Sequence, residues 1–206
     1  MLRRLALPIV AVAGLAACEP MLDPSGPPPP SVRLANAVTV QGPTGYCVDP
    51  VVTRPMQGFA LLAACAAMTA DKTDAYPASI ALITVQVGSA DSAVVQGQEA
   101  AFAAFMDTPQ GAALLSASAI GGPVAVRVTQ TDPNAVAVYT EDAGPPGITG
   151  TQPQAWRLFT DINGRLVTIS VRGLSDAALS QAASRALLDR MVTVLRAANG
   201  VTQTPA

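Results

Sequence analysis

The sequence predicts an α+β domain, in which helices pack on an antiparallel sheet. Short segments with an apolar residue at every second position recur along the chain, which is the period of a strand with one buried face. A central stretch and a long C-terminal stretch instead place apolar residues three and four positions apart, which is the helical period. Runs of strands followed by a terminal helix are typical of this fold class.

The first predicted strand covers residues 35–41, where Val38 and Val40 share one side. The turn residues Gly42-Pro43-Thr44-Gly45 end it. A short extended piece at 46–48 follows.

Residues 59–67 form an almost unbroken apolar run that contains Cys65. Its length favours a buried strand, although its alanine content also permits a helix. Residues 79–88 are rich in β-branched side chains and predict a further strand.

The central helical stretch covers residues 96–106 and places Phe102, Phe105 and Met106 on one face. A second short helix is expected over 109–116, because it opens on a proline at its first position. Such an apolar face could form a ligand groove, but packing against a sheet is the better interpretation.

Two hairpins follow the helical stretch. In the first, Asp132-Pro133-Asn134 joins two segments of alternating valines, so one face of the hairpin should be buried. In the second, Asn163-Gly164 between alternating segments is the strongest short hairpin signal. A loop with several glycines and prolines, 141–153, separates them. The four strands cover residues 124–129, 136–138, 156–160 and 165–171.

The last predicted element is a helix of about 24 residues that must lie across the sheet. Ser175 is a good N-cap, Asp176 suits the positive amino end, and Asn199-Gly200 is a plausible C-cap. The tail 201–206 should be frayed. The apolar stripe of the helix consists of Leu179, Ala183, Leu187, Met191, Leu195 and Ala198.

The segment from Ala155 to Asn199 combines a strand with a tryptophan, an Asn-Gly hairpin, a second strand, the triplet Leu174-Ser175-Asp176 and a long helix. In this order of elements it resembles the end of Mog1/PsbP-like domains. The resemblance implies an antiparallel sheet flanked by helices, in a family that includes exported lipoproteins. It carries no catalytic motif.

The N-terminus reads as a secretory leader, with Arg3 and Arg4 followed by the apolar run Leu5 to Leu15. The run has about eleven residues, whereas a membrane-spanning helix needs about 20. The leader closes on Leu15-Ala16-Ala17-Cys18, which resembles the lipobox of bacterial lipoproteins. A cleaved signal followed by a chance cysteine is the alternative.

The lipobox resemblance implies a signal peptide over 1–17 and a lipidated Cys18 that becomes the first mature residue. Acyl chains on this cysteine would hold the protein at a membrane essentially permanently. Glu19 suggests the outer rather than the inner membrane, by resemblance to lipoprotein sorting. The expected location is therefore the cell envelope, with the domain facing the periplasm.

A tether is expected over 18–32, because Pro27 to Pro30 and their neighbours favour extended polyproline II structure. A single domain then covers 33–200. Without Arg3 and Arg4 the chain carries 10 basic and 14 acidic residues and no basic block, so nucleic acid is not an expected partner.

The sequence contains no histidine. This excludes the Ser-His-Asp and Cys-His arrangements and histidine-containing zinc sites. Once Cys18 is lipidated, Cys47 and Cys65 remain, and an oxidising periplasm favours their pairing in a disulfide. Their wide spacing is unlike the Cys-x-x-Cys of redox-active pairs. Two free buried cysteines are the remaining alternative.

Three acidic motifs are weak candidates for chemistry. Asp71-Lys72-Thr73-Asp74 resembles the phosphorylation motif of P-type ATPases, but Asp74 and Ala75 replace the Gly and Thr of that motif, and the chain is too short for such a pump. Asp161-Ile162-Asn163-Gly164 lacks the later ligands of a calcium loop and is better interpreted as a hairpin turn. Glu141-Asp142 is best interpreted as a surface pair. No metal, cofactor or catalytic residue is assigned.

The expected function is that of a membrane-anchored periplasmic lipoprotein with a non-catalytic accessory or binding domain, which could contact an envelope protein partner. The alternative is a histidine-independent enzyme or a small-ligand carrier with a cleft of carboxylates or tyrosines. The residues that such a cleft would gather are Tyr46, Tyr76, Tyr139, Asp71, Asp74, Glu141, Asp142 and Asp161.

Overall fold

The structure is a computed structural model that describes residues 26–69, 75–116 and 123–201. The leader with its lipobox cysteine Cys18, the Asp71-Lys72-Thr73-Asp74 motif and the tail 202–206 lie outside the described residues. Within those ranges the chain forms nine strands, four α-helices and one short 3-10 helix at Pro55–Gln57. The strands are β1 (Ser31–Leu34), β2 (Val38–Gln41), β3 (Tyr46–Val48), β4 (Phe59–Ala64), β5 (Ala81–Val87), β6 (Val124–Asp132), β7 (Ala135–Asp142), β8 (Gln154–Ile162) and β9 (Arg165–Gly173). The helices are α1 (Cys65–Met68), α2 (Glu99–Met106), α3 (Pro109–Ala113) and α4 (Gln181–Ala198).

Seven strands form one antiparallel sheet in the order β3-β4-β5-β9-β8-β7-β6, and β1 pairs with β2 in a separate hairpin. The helix α4 packs on the sheet, so the predicted α+β class is confirmed. The second hairpin of the sequence inserts β9 beside β5, which brings the two halves of the chain together at the centre of the sheet.

The two faces of the sheet are covered differently. The first face carries the main core, on which α4 and the β1–β2 hairpin pack. The second face carries a smaller core, where α2 and α3 cover β6 and β7 with Phe102 against Phe159. On this second face the outward side chains of β5 and β9 lie beside the helices rather than under them, and we call this region the open face.

The C-terminal helix begins six residues after the predicted N-cap at Ser175. Ser180 is the N-cap, and its hydroxyl accepts a hydrogen bond from Ala183 N at 3.1 Å. The preceding Leu179 N–H donates to Gln152 Oε1 at 2.7 Å, so a long-range contact holds the chain out of the helix. The predicted stripe is confirmed in part: Leu187, Met191 and Leu195 are fully buried, whereas Ala183 and Ala198 are half-buried and Leu179 precedes the helix. Leu188, which lies outside the predicted stripe, is also fully buried.

The predicted strand at 59–67 ends earlier than expected. It stops at Ala64, and Cys65 opens the short helix α1. The disulfide between Cys47 and Cys65 is confirmed, with Cα atoms 5.0 Å apart, and it fastens edge strand β3 to the start of α1.

The predicted strand at 35–41 is in fact the second half of a hairpin. Ala35 and Asn36 adopt positive φ of 47° and 53° and make the turn between β1 and β2. The packed region also begins before the expected boundary at 33. β1 starts at Ser31, and the carbonyl oxygen of Pro29 accepts a hydrogen bond from Val48 N at 2.8 Å.

The central helices are shorter than predicted, and their apolar face is only partly buried. Met106 is buried and Phe102 contacts Phe159, whereas Phe105 is exposed. Strand β7 is buried on both faces rather than one, because its alternate residues enter the two different cores.

Candidate functional site

A pocket of about 190 Å³ lies on the open face, between the outward side chains of three strands and the loop 143–153 that joins β7 to β8. Its walls combine two arginines, four hydroxyl side chains, an amide and two aliphatic side chains. The lining residues are Leu82, Thr84, Gln86, Gly147, Ile148, Thr151, Arg157, Thr168, Ser170 and Arg172.

The strand register places the polar residues of this pocket side by side. Thr84 on β5 lies opposite Ser170 on β9, and Ser170 lies opposite Arg157 on β8. Directly opposed residues of an antiparallel pair have Cβ atoms about 5 Å apart. The three side chains therefore form one row across the sheet, and Gln86 and Thr168 pair in the next row.

Arg157 is half-buried, and no hydrogen bond joins its guanidinium to another residue within the described ranges. Burial lowers its pKa to about 10, the charge of Arg172 adds to this effect, and the carboxylate of Asp142 opposes it. Loss of water without a hydrogen-bonding partner disfavours the charged form of a base. Arg157 is therefore a cation with unused donors at the wall of a pocket.

Arg172 is only 9% exposed and is held in place by its neighbours. Its Nη1 atom donates to the carbonyl oxygen of Gln152 at 3.0 Å, which ties β9 to the loop 143–153. Burial lowers the pKa of Arg172, and the Asp142 carboxylate opposes the shift. The Gln152 side chain in turn holds Leu179 ahead of α4, so the same contacts shape the pocket and delay the helix.

Asp142 is the carboxylate that acts on both arginines. It is 2% exposed, accepts a hydrogen bond from Gly144 N at 2.9 Å, and lies 3.4 Å from the Ser116 hydroxyl. Arg157, Arg172 and Asp142 together carry one net positive charge.

Asp142 acts on the arginines from outside the lining of the pocket, and the other acidic residues singled out in the sequence lie elsewhere. Asp161 accepts hydrogen bonds from the backbone N–H groups of residues 94–96 and so fixes the loop before α2. Glu141 lies on the opposite face from Asp142 and forms an exposed ion pair with Arg127 at 2.8 Å. Asp71 and Asp74 lie outside the described residues.

The three tyrosines also lie elsewhere. Tyr46 is buried in the main core, where its hydroxyl donates to the Ser79 carbonyl, and burial raises its pKa to about 12. Tyr139 packs against Trp156 with ring centroids 5.2 Å apart. Tyr76 is exposed. The cleft of carboxylates and tyrosines expected for a histidine-independent enzyme is not assembled by these described residues.

Sequence reasoning missed both pocket arginines. Arg157 and Arg172 alternate with buried apolar residues, and this pattern looks the same for a strand that faces solvent. Thr84, Gln86 and Thr168, at outward positions of β5 and β9, are also typical of solvent-facing strands, so the local pattern carried no signal that would have identified the pocket.

In the part of the chain that the structure describes, no three cysteine or acidic side chains are grouped as a metal site would require. Nor does any helix within those residues have the length and apolar character needed to cross a membrane.

Comparison with known proteins adds no relative: no family model, curated protein or solved structure matches the chain. The resemblances to lipoproteins and to Mog1/PsbP-like domains therefore stay predictions from the sequence.

Proposed function

We propose that this chain is a lipid-anchored protein of the cell envelope whose domain binds a small ligand in the open-face pocket and does not transform it. The anchor is Cys18, and the proline-rich segment that follows spaces the domain from the membrane. The observation that supports a binding role is the Arg157 guanidinium at the pocket wall, which donates a hydrogen bond to none of the described residues.

The lining groups are suited to holding a ligand. Arginine remains protonated near neutral pH and offers donors, whereas the hydroxyls of Thr84 and Ser170 both donate and accept. A hydroxyl becomes a nucleophile when an adjacent base removes its proton. The described lining side chains of this pocket provide no carboxylate, lysine or tyrosine for that task.

The anchoring half of the proposal is tested by metabolic labelling with a radioactive fatty acid. The wild-type protein should carry the label and sediment with membranes, and Cys18→Ala should lose the label. The double variant Cys47→Ala/Cys65→Ala is a matched control, because it removes the other two cysteines of the same chain and should retain the label. Unchanged labelling of Cys18→Ala would refute the anchor.

The non-catalytic half is tested by screening the purified full chain against hydrolase and transferase substrates. We expect the wild-type protein to show no more turnover than the Arg157→Gln variant purified in the same way. Reproducible turnover that this substitution abolishes would show that the pocket is an active site.

A further inference from the structure

We propose that the open-face pocket recognises an oxyanion, a carboxylate or phosphate group, on a small molecule whose apolar part lies against Leu82 and Ile148. This inference rests on the proposed binding function and names the chemical class of its ligand. Arg157 is the principal contact, with Ser170 and Thr84 beside it.

The two arginines differ in how many of their donors are available. A guanidinium has five N–H donors in a planar fork, which matches the paired oxygens of a carboxylate or phosphate. Arg172 uses one nitrogen on the Gln152 carbonyl, whereas Arg157 donates to no described residue. An oxyanion that enters the pocket can therefore take a two-point contact from Arg157 without breaking an existing hydrogen bond.

The row across the sheet supplies further donors at a suitable spacing. Ser170 is the direct neighbour of Arg157, and Thr84 is the direct neighbour of Ser170. An oxyanion held by the Arg157 fork has remaining lone pairs directed away from it, and hydroxyl donors one strand away can satisfy them. The backbone register holds these groups on rigid strands, so little ordering is needed on binding.

The charge of the pocket also favours an anion. Arg157 and Arg172 bring two positive charges to one wall, and Asp142 neutralises only one of them. A bound oxyanion would offset the remaining charge. It would also relieve the repulsion between the arginines, so binding should raise the pKa of Arg157 towards its ordinary value.

The size and the aliphatic walls indicate a small organic anion. A volume of about 190 Å³ lies below the range of about 300 to 1,000 Å³ that is typical of pockets for drug-sized ligands, so the ligand should be small. Leu82 and Ile148 add an apolar surface that an inorganic ion would leave uncovered.

The test uses the full chain purified in a non-ionic detergent and three probes that share a four-carbon tail. Butyrate carries a carboxylate, monobutyl phosphate carries a phosphate, and 1-butanol carries neither. Isothermal titration calorimetry measures the affinity for each. We expect saturable binding of at least one of the two anions with a Kd of about 1 mM or lower, and no comparable binding of 1-butanol. The stronger anion identifies the oxyanion.

Two substitutions of Arg157 and one control locate the binding. Arg157→Gln should weaken anion binding about 10- to 100-fold, because it removes a charge-assisted contact. The anion affinity of Arg157→Lys should lie between those of the wild type and Arg157→Gln, because lysine retains the positive charge but lacks the planar fork of donors. Arg127→Gln removes the same charge from an exposed arginine on strand β6 and should change the affinity less than about twofold.

Equal anion affinity in wild type and Arg157→Gln would overturn the oxyanion assignment, as would the absence of saturable binding by both anions. If 1-butanol bound as tightly as the anions and Arg157→Gln had no effect, the pocket would be a binding site for apolar molecules. That result would support the proposed binding function and would reject an oxyanion as the chemical class of the ligand. Acylation of Cys18 is decided independently by the labelling experiment.

Discussion

Arg157 and Arg172 extend from neighbouring strands onto the same open face, where the charge of Arg172 adds to burial in lowering the pKa of Arg157 to about 10. Two cations side by side at a half-buried surface are unfavourable for folding. Such an arrangement is typical of a site whose stabilising partner comes from outside the chain.

Removing this repulsion should stabilise the protein. We expect Arg157→Met, which keeps most of the side-chain volume, to raise the free energy of unfolding by about 1 kcal/mol while it abolishes anion binding. Urea denaturation of the full chain measures the change. Arg127→Met is the matched control and should have little effect, since Arg127 is exposed and its ion pair with Glu141 contributes little. A clear loss of stability in Arg157→Met would show that the guanidinium supports the fold.

The disulfide should contribute substantially to stability. Cys47 and Cys65 are 18 residues apart. Closing a loop of this length lowers the entropy of the unfolded chain and so raises the free energy of unfolding by about 3 kcal/mol. The Cys47→Ala/Cys65→Ala variant should lose about that amount in urea denaturation. Mass spectrometry after alkylation should find no free thiol at either position in the wild type. Equal stability of the variant and the wild type would mean that the disulfide does not constrain the unfolded chain.

Asn199 fastens the end of α4 to the β1–β2 hairpin. Its Oδ1 atom accepts a hydrogen bond from Thr39 N at 2.9 Å, and its Nδ2 atom donates to the carbonyl oxygens of Thr39 at 2.7 Å and Leu195 at 2.8 Å. Asn199→Ala should therefore lose about 2 kcal/mol of stability, because the partners on Thr39 lose their bonds.

Asn199→Asp should lose at least as much as Asn199→Ala, because a carboxylate oxygen would face two carbonyl oxygens where an amide now donates. Thr193→Ala is a control on the exposed side of the same helix and should stay within about 0.5 kcal/mol of the wild type. Urea denaturation compares the three variants. An aspartate variant as stable as the wild type would contradict the assigned amide orientation.

Because of Tyr46, the free energy of unfolding should fall as the pH becomes alkaline. Burial raises its pKa from 10.0 to about 12, so its neutral form is favoured in the folded state. The resulting stabilisation is fully present below pH 10, where the unfolded tyrosine is also neutral. It is lost as the pH rises from 10 through about 12, by roughly 2 to 3 kcal/mol.

Tyr46→Phe should lower stability at pH 8, because the Ser79 carbonyl loses its donor, and should flatten this alkaline loss. Urea denaturation at pH 8, 10 and 11.5 measures both effects. Tyr76→Phe is the matched control, because it removes the hydroxyl of an exposed tyrosine instead. An equally steep loss in Tyr46→Phe would assign the dependence to other groups.

Much of the fold could be predicted because its signals are local. Asn163 and Gly164 adopt the positive φ of 51° and 73° that a tight hairpin turn needs, and this dipeptide is visible in the sequence. The stripe that contains Leu187 and Met191 is equally local, since one helical period determines which residues are buried. The start of α4 was missed because Ser175 and Ser180 are both good caps, and the distant Gln152 decides between them.

The site could not be predicted because it depends on which strands become neighbours. Thr84 and Ser170 are 86 positions apart in the sequence and meet only because β9 inserts beside β5. Arg157 and Arg172 join them from the second hairpin, where nothing local distinguishes a pocket wall from a solvent-facing strand. Of the described carboxylates considered as site candidates, Asp161 instead makes a structural contact with residues 94–96, and Glu141 forms an exposed ion pair with Arg127.

The most direct test of the open-face site is an NMR titration of the arginine side chains in the full chain. The Nε–H signal of Arg157, assigned by its absence in Arg157→Lys, should shift progressively and saturate as butyrate or monobutyl phosphate is added. The signal of Arg127 should stay in place. A stationary Arg157 signal, at concentrations where calorimetry detects bound anion, would contradict the assignment of Arg157 as the ligand-binding group.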